Sequence, residues 1–254
     1  MSLEYYNNDE ITNEVQSYLL KIIELQNFKD GIGLIGGWAV FYLVNDWYSK
    51  TYGRAYQKSL DIDIVVDKDD IEDLVKILKN IGFPKWDEVH RGFCGKTICY
   101  DERVGKQVIV ADKDLKEYHK RRMPLYVDVF SPDPYNLPKP LEFYEVLWLK
   151  EIENFFEESR EYKILGKTVF LPNASCLFKT KYRKVENEIE NTFGNVKSTK
   201  DVLDLLVICF AYPNEIEREE KEKLVNIMKI HKEALEGHIF PSFSIDFDEA
   251  ISLL

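Results

Sequence analysis

Cysteine and histidine are scarce in this chain, and neither is spaced for metal or disulfide chemistry. Four cysteines (Cys94, Cys99, Cys176 and Cys209) stand among 254 residues, and no second tight pair joins Cys94 and Cys99 to complete a zinc site. Free thiols in a reducing compartment are the expectation. The four histidines (His90, His119, His231 and His238) are scattered, none beside a nucleophile or a ligand partner. A Ser-His-Asp hydrolase and a zinc enzyme therefore find no support. Long apolar runs are missing as well: the best, Leu34 to Val44, is shorter than the ~20 residues of a membrane span and holds two glycines. The N-terminus carries Glu4, Asp9 and Glu10 instead of a basic stretch before an apolar one, so no secretory leader is expected and the expected location is cytoplasmic. Basic excess is lacking too. A formal net charge of −11 argues against a surface coated for bulk nucleic acid, though it leaves room for a local basic groove.

What is present is ample material for a core, with 45% hydrophobic and 13% aromatic residues. Val15, Leu19, Ile22, Ile23 and Leu25 recur at a helical period within Thr12–Phe28, and Asp30-Gly31 ends that helix. Leu34-Ile35 reads as a short strand, Gly36-Gly37 as a turn, and Trp38–Tyr48 as a helix followed by a loop to Lys58. Ile71, Leu74, Val75 and Leu78 share one face of a helix that stops at Gly82. Strands are expected at 97–100 and 107–110, and Tyr126 to Phe130 reads as another strand. Pro132, Pro134, Pro138 and Pro140 crowd the next stretch and give the strongest boundary signal. Beyond it the pattern is mainly helical: Leu141–Phe156, Asn173–Ile189, Lys200–Ala211 and a long helix over Asn214–Glu236 closed by Gly237, with a small hairpin around Gly166. The expected organisation is an α/β (α+β) part over 1–140, then a mainly α-helical part over 141–254.

The chemistry concentrates in Asp61-Ile62-Asp63-Ile64-Val65-Val66. Side chains alternate along a strand, so Asp61 and Asp63 share one face while Ile62 and Ile64 take the other. Paired carboxylates backed by apolar residues make a hard oxygen platform for a cation such as Mg²⁺. A third acid, Asp128, stands alone within Tyr126-Val127-x-Val129-Phe130, where an uncompensated buried carboxylate is costly. A cation shared by all three relieves that cost. Upstream, Gly36-Gly37 interrupts an apolar run, and glycine there lets backbone N–H groups approach a phosphate at a helix start. Lys58-Ser59, just ahead of Asp61, offers a cation and a hydroxyl to a triphosphate. The plain alternatives are a solvated strand face for the acids and a tight turn for the glycines.

Gly36-Gly37-x-Ala39, Lys58-Ser59-x-Asp61-x-Asp63 and Asp128 in an apolar strand together resemble the DNA-polymerase-β-like nucleotidyltransferase superfamily. Thr180-Lys181, followed by Lys200-Asp201-x-x-Asp204-Leu205, is similar to a feature of abortive-infection (AbiE-type) toxin nucleotidyltransferases and their relatives. Relatives often carry arginine and threonine where this chain has Lys58 and Ser59. The resemblance implies the nucleotidyltransferase fold: a small mixed sheet flanked by helices, then a mainly helical C-terminal part. It implies an enzyme in which Asp61, Asp63 and Asp128 are catalytic and hold two Mg²⁺ ions, with Mn²⁺ as a substitute. Gly36, Gly37, Lys58, Ser59, Lys181, Lys200 and Asp201 would then serve the nucleoside triphosphate. The nucleoside monophosphate passes to an acceptor hydroxyl and pyrophosphate leaves.

The acceptor is a tRNA 3′-end, a small molecule such as an antibiotic, or a protein, and a toxin of this type implies an antitoxin partner. Lys179, Lys181, Arg183, Lys184, Lys197 and Lys200 crowd two helices, and a second basic cluster spans 119–122, which favours RNA. A catalytically silent nucleotide-binding module on the same fold is the competing class.

Overall fold

The structure, a computed structural model, describes residues 8–29, 31–133, 147, 150–191 and 196–254. Asp30, Pro134, Pro138, Pro140 and most of the helix expected over Leu141–Phe156 lie outside the described residues. The chain forms two compact units. One takes Lys58–Pro172 and the segment ending at Trp38; the other takes Ala39–Gln57 and Asn173–Leu254. The division expected near 140 thus falls between Pro172 and Asn173, and a piece of the N-terminal half joins the C-terminal helices.

The first unit is built on a sheet. Helix α1 (Asp9–Leu25) starts at Asn8, whose side chain accepts from the Glu10 and Ile11 amides, and it buries Ile11, Val15, Leu19, Ile22 and Ile23 on one stripe. Strand β1 (Ile32–Leu34) feeds helix α2 (Gly36–Tyr52), and β2 (Ile62–Val65) follows. Helix α3 (Ile71–Ile81) buries Ile71, Leu74, Val75 and Leu78 and closes at Gly82, which is left-handed at φ +101°. Then come β3 (Lys85–Asp87), β4 (Gly92–Asp101), β5 (Lys106–Ala111), β6 (His119–Phe130), the single turn α4 (Phe155–Glu158), β7 (Arg160–Ile164) and β8 (Lys167–Leu171). Among the described residues the strand order is β3-β4-β6-β2-β1-β8-β7, with β5 on β4.

The sheet is mixed: β2 with β6 and β1 with β8 are parallel, while the β1–β2, β3–β4, β4–β5, β4–β6 and β7–β8 pairs are antiparallel. The pairing of β8 with β1 explains why the unit runs to Pro172, since the hairpin around Gly166 is part of the sheet. Pro124 is tolerated inside β6 because its rung pairs only with Thr97 of β4, and β2 joins from Val127 onward.

Ile62, Ile64, Val127, Val129 and Phe93 are buried on one face of the sheet. Helix α1 packs against α3, β5 and β8. On the other face Val65 and Phe130, partners in register, pack with Ile35, Ile152 and Phe155. Gly33 faces Val65 in register, and a Cβ there would stand 2.2 Å from Phe155 Cε1.

The second unit is helical: α5 (Ala174–Asn191), α6 (Val196–Ala211), α7 (Arg218–Ile230), α8 (Lys232–Phe243) and α9 (Phe247–Ser252), with Ala39–Tyr52 of α2. Helix α2 continues past the expected end at Tyr48. The Tyr48 and Tyr52 rings lie 6.2 and 6.1 Å from Phe243, which packs the extra turn. The single helix expected over Asn214–Glu236 is two. The chain breaks at His231 (φ −105°, ψ 22°), Gly237 sits inside α8, and left-handed Ser244 ends α8. The break lets α8 bury Leu235, Ile239 and Phe243 where it packs against α6.

Replacing Gly33 with alanine pushes a methyl into the Phe155 ring, and overpacking of this kind costs about 1–3 kcal/mol. Urea unfolding of Gly33→Ala is expected to show a lower midpoint at unchanged slope. A wild-type midpoint would mean that Phe155 is not seated over β1.

Candidate functional site

Asp63 of β2 and Asp128 of β6 are partners in the parallel register, flanked by the pairs Ile62–Val127 and Ile64–Val129. Because the flanking pairs are buried on one face, both carboxylates stand side by side on the other, each half-buried. Asp128 Oδ1 is shut off from solvent. Asp61 is half-buried too but stands at a bend ahead of β2, outside its regular pairing. Strand alternation therefore does not by itself carry Asp61 into the pair.

Two glycines make room for these acids. Gly36 opens α2 at φ +62°, and a Cβ there would lie 1.8 Å from Asp63 Oδ2. The Ile35 amide donates to the Asp63 carbonyl, drawing the start of α2 onto β2. Gly92 of β4 faces Asp128 in register, and its Cβ would lie 2.3 Å from Asp128 Oδ1. Gly37 is buried in the first turn of α2, where N–H groups without helical partners favour an anion. Gly92 was not among the residues singled out from the sequence. Its signal was there, a glycine opening an apolar strand, which marks close approach of another group.

The paired carboxylates are hard oxygen donors suited to Mg²⁺, which is commonly held by one or two carboxylates with substrate phosphates completing its shell. Asp63 and Asp128 fit that role. Among the described residues no three acidic, histidine or cysteine side chains gather closely enough to hold a metal ion. Asp61, Asp63 and Asp128 do not form such a group here, and Asp61 stands one residue ahead of β2. Lys58 reaches α1, its ammonium donating to Asn13 Oδ1, and Ser59 is buried.

Lys181, Lys200 and Asp201 belong to the helical unit and are joined there by Asp204. Their exposures are 5%, 3%, 2% and 0% respectively. Lys181 Nζ on α5 donates to Asp201 Oδ1 at 2.5 Å and to Asp204 Oδ2 at 2.7 Å, while Lys200 Nζ donates to Asp204 Oδ2 at 2.9 Å. Tyr56 Oη adds a bond to Asp204 Oδ1 at 2.8 Å, and Lys184 Nζ lies 3.5 Å from Asp201 Oδ2. Tyr56 had no sequence signal, since nothing local couples it to α6.

Burial would raise the Asp201 carboxyl, but Lys181, Lys184 and Lys200 override it and hold it well below the usual carboxylate range. Burial pulls Lys181 down, and Asp201 and Asp204 override that and raise it. At Lys200 burial wins, and the ammonium sits below its ordinary value.

Lys181 and Lys200 are thereby withdrawn from the basic face expected to meet phosphates, and Lys179 lies 3.5 Å from Glu220. The side chain of Lys197 lies outside the described residues. In the 119–122 cluster His119 is buried, accepting from the Lys116 amide and 3.4 Å from Asp101, while Arg122 donates to the carbonyls of Lys116 and His119. Lys120 and Arg121 are exposed. The four cysteines are free thiols, and burial pushes Cys209 up to about 12. Among the described residues no helix is long and apolar enough to cross a membrane.

Breaking the buried network by Lys181→Met leaves aspartates facing too few cations, an imbalance worth about 3–5 kcal/mol of stability. The lowered Asp201 contributes stability that is present above its unfolded value near ~4 and lost as pH falls below it. Helical circular dichroism melts between pH 7 and 3 are expected to show this loss in wild type and a flatter profile in Asp201→Asn. Equal acid sensitivity in both would place its origin outside the network.

No family model matches the chain, and no curated protein sequence does. Two solved structures are similar to it over most of their length. An antigenic nucleotidyltransferase-like protein from Paracoccidioides brasiliensis is 13% identical, with 94% of each chain covered and a TM-score of 0.40. The antibiotic-resistance factor ANT(2'')-Ia is 15% identical, with 90% of this chain and 97% of that one covered and a TM-score of 0.43. These are loose likenesses, and the functional reading rests on the carboxylates and glycines of the sheet.

Proposed function

We propose that the chain is a metal-dependent nucleotidyltransferase that passes a nucleoside monophosphate from a nucleoside triphosphate to an acceptor hydroxyl. The observation that carries this reading is the Asp63–Asp128 register pair, with Gly36 at the start of α2 brought against Asp63. Asp63 and Asp128 would hold the divalent cation, and Asp61, one residue ahead of β2, would add a carboxylate once nucleotide is bound. When bound, the cation supplies charge neutralisation at the phosphates and the leaving pyrophosphate.

The chain's own groups do the rest. The first turn of α2, with its glycines, would cradle the terminal phosphates through backbone N–H groups. Asp128 would take the proton of the acceptor hydroxyl as its oxygen bonds to the α-phosphorus. The bond from that phosphorus to the bridging oxygen breaks, and pyrophosphate carries off the electron pair. Lys58 and Ser59, on the chain entering β2, would assist the triphosphate. Lys181, Lys200 and Asp201 would act by fixing α5 on α6 as positioning residues, since they are spent on one another.

The finer reading is an AbiE-type toxin with a tRNA acceptor and an antitoxin partner. The Lys200-Asp201-x-x-Asp204-Leu205 pattern supports it, as do the exposed Arg183 and the half-exposed Lys184 of α5.

Incubation with each labelled nucleoside triphosphate, Mg²⁺ and total tRNA, protein or antibiotic shows which acceptor becomes labelled, and a chelator should abolish labelling. Asp63→Asn and Asp128→Asn are each expected to lower transfer by roughly 10²-fold or more. Their circular dichroism spectra should remain those of the folded chain. Wild-type transfer by both variants would sink this assignment.

Gly36→Ala sets a methyl on the Asp63 carboxylate. Its expected outcome is weak nucleotide binding by calorimetry together with a folded circular dichroism spectrum. Wild-type affinity would remove Gly36 from the phosphate cradle.

A further inference from the structure

The face of β6 that carries Asp128 carries a second chemical group two residues earlier. Tyr126 and Asp128 share that face, and both stand next to Gly92, whose missing side chain makes room for the Asp128 carboxylate. A Cβ on Gly92 would stand 2.3 Å from Asp128 Oδ1 and 3.4 Å from Tyr126 Cδ1. The His90 ring lies on Tyr126, with centroids 4.7 Å apart and planes 38° apart. Asp87 holds the pair in place. Its Oδ2 accepts from the Tyr126 hydroxyl at 3.1 Å, and its Oδ1 accepts from the amides of Val89 at 2.9 Å and His90 at 3.1 Å. These amide bonds, with the Tyr126 bond, hold the Asp87 carboxyl below its usual range, so it stays ionised as an acceptor.

The strand order gives this shelf a direction. Across the sheet the groups run from Gly36, just past β1 at the start of α2, through Asp63 on β2 and Asp128 on β6 to Gly92 on β4. If the triphosphate takes the Gly36 end, the attacking oxygen must come from the opposite side, because attacking and leaving oxygens lie roughly in line. That side is the β4 side of Asp128, where Tyr126 and His90 stand.

Those side chains offer ring faces. The Asp87 carboxylate, the group a cationic amino sugar would seek there, is already engaged by three donors. Flat rings suit a planar π-face, as in proteins that stack the bases of single-stranded nucleic acid. We propose that Tyr126 and His90 form the acceptor subsite, stacking the terminal base of a single-stranded RNA end so that its ribose hydroxyl meets Asp128. This rests on the transferase reading above. Tyr126 is a specificity residue in this scheme, His90 completes its shelf, and Asp87 is a positioning residue.

The test uses the full chain and a fluorescently labelled oligoribonucleotide with an unpaired 3′ end, read by anisotropy. Mg²⁺-ATP binding is measured beside it by calorimetry. Tyr126→Leu is expected to weaken oligonucleotide binding roughly tenfold to hundredfold, the range for loss of one stacking platform. Tyr126→Phe keeps the ring and should stay near wild type, and exposed His90→Ala should fall between. ATP affinity should not change in any of them.

The proposal is overturned if wild type does not bind the oligonucleotide, or if Tyr126→Leu and His90→Ala both bind it as wild type does. Loss of ATP affinity in Tyr126→Leu would overturn it as well, by assigning the shelf to the donor base. Transfer to a small molecule or protein, untouched by Tyr126→Leu, would overturn the subsite and leave the transferase standing. Oligonucleotide binding that needs Tyr126, with no transfer to any acceptor, would overturn the acceptor role and with it the transferase reading, leaving an RNA-binding shelf.

Discussion

Two carboxylates fixed on one rung of a parallel strand pair repel each other, and the sheet unit is arranged so that they stay there. Neighbouring strands lie about 4.8 Å apart, and unit charges about 5 Å apart repel by about 3 kcal/mol at an effective dielectric near 20. Asp63 and Asp128 cannot relax by sliding. A slip of β2 by one residue would turn Ile62 and Ile64 outward and bury Asp63 in their place. The hydrophobic face therefore holds the register that the charged face strains against. Gly36 and Gly92 complete the constraint by omitting side chains where the carboxylates need room. Under the proposed function, that pair of hard oxygen donors is where a divalent cation carrying a nucleotide's phosphates would be held.

The helical unit buries a charge network of its own. Lys181 and Lys200 meet Asp201 and Asp204 at hydrogen-bond distance, with Tyr56 supplying a further donor. Opposite charges so placed satisfy one another and call for no ligand; their value lies in fixing α5, α6 and the Tyr56 segment in one arrangement.

Local signals made much of the fold legible. The helical stripes of α1 and α3, the alternation that marks β2 and the apolar run that ends β6, and the turn residues around Gly166 each follow from spacing within a dozen residues or so. The same locality explains the misplacements. A proline-rich stretch near 140 looks like a boundary, yet β8 pairs with β1 across more than a hundred residues and keeps the hairpin in the sheet unit. Helix α2 runs on because the Tyr48 and Tyr52 rings find Phe243, a partner that helical period alone does not reveal.

By itself the sequence determined which residue types carry chemistry: the two spaced acids of Asp61-Ile62-Asp63, the lone acid in the Asp128 strand, and the glycine pair ahead of α2. Strand alternation and the conformational freedom of glycine operate within a few residues, so the order of the chain suffices to read them. Tertiary structure alone decided that Asp63 faces Asp128 while Asp61 stands at a bend, and that Gly92 clears the space beside Asp128. It also decided that Lys181 and Lys200 are spent on Asp201 and Asp204, and that Tyr126 carries His90 next to the acids. Those outcomes depend on which distant strand or helix supplies the neighbouring atoms, because the cost of a buried charge is set by its partners.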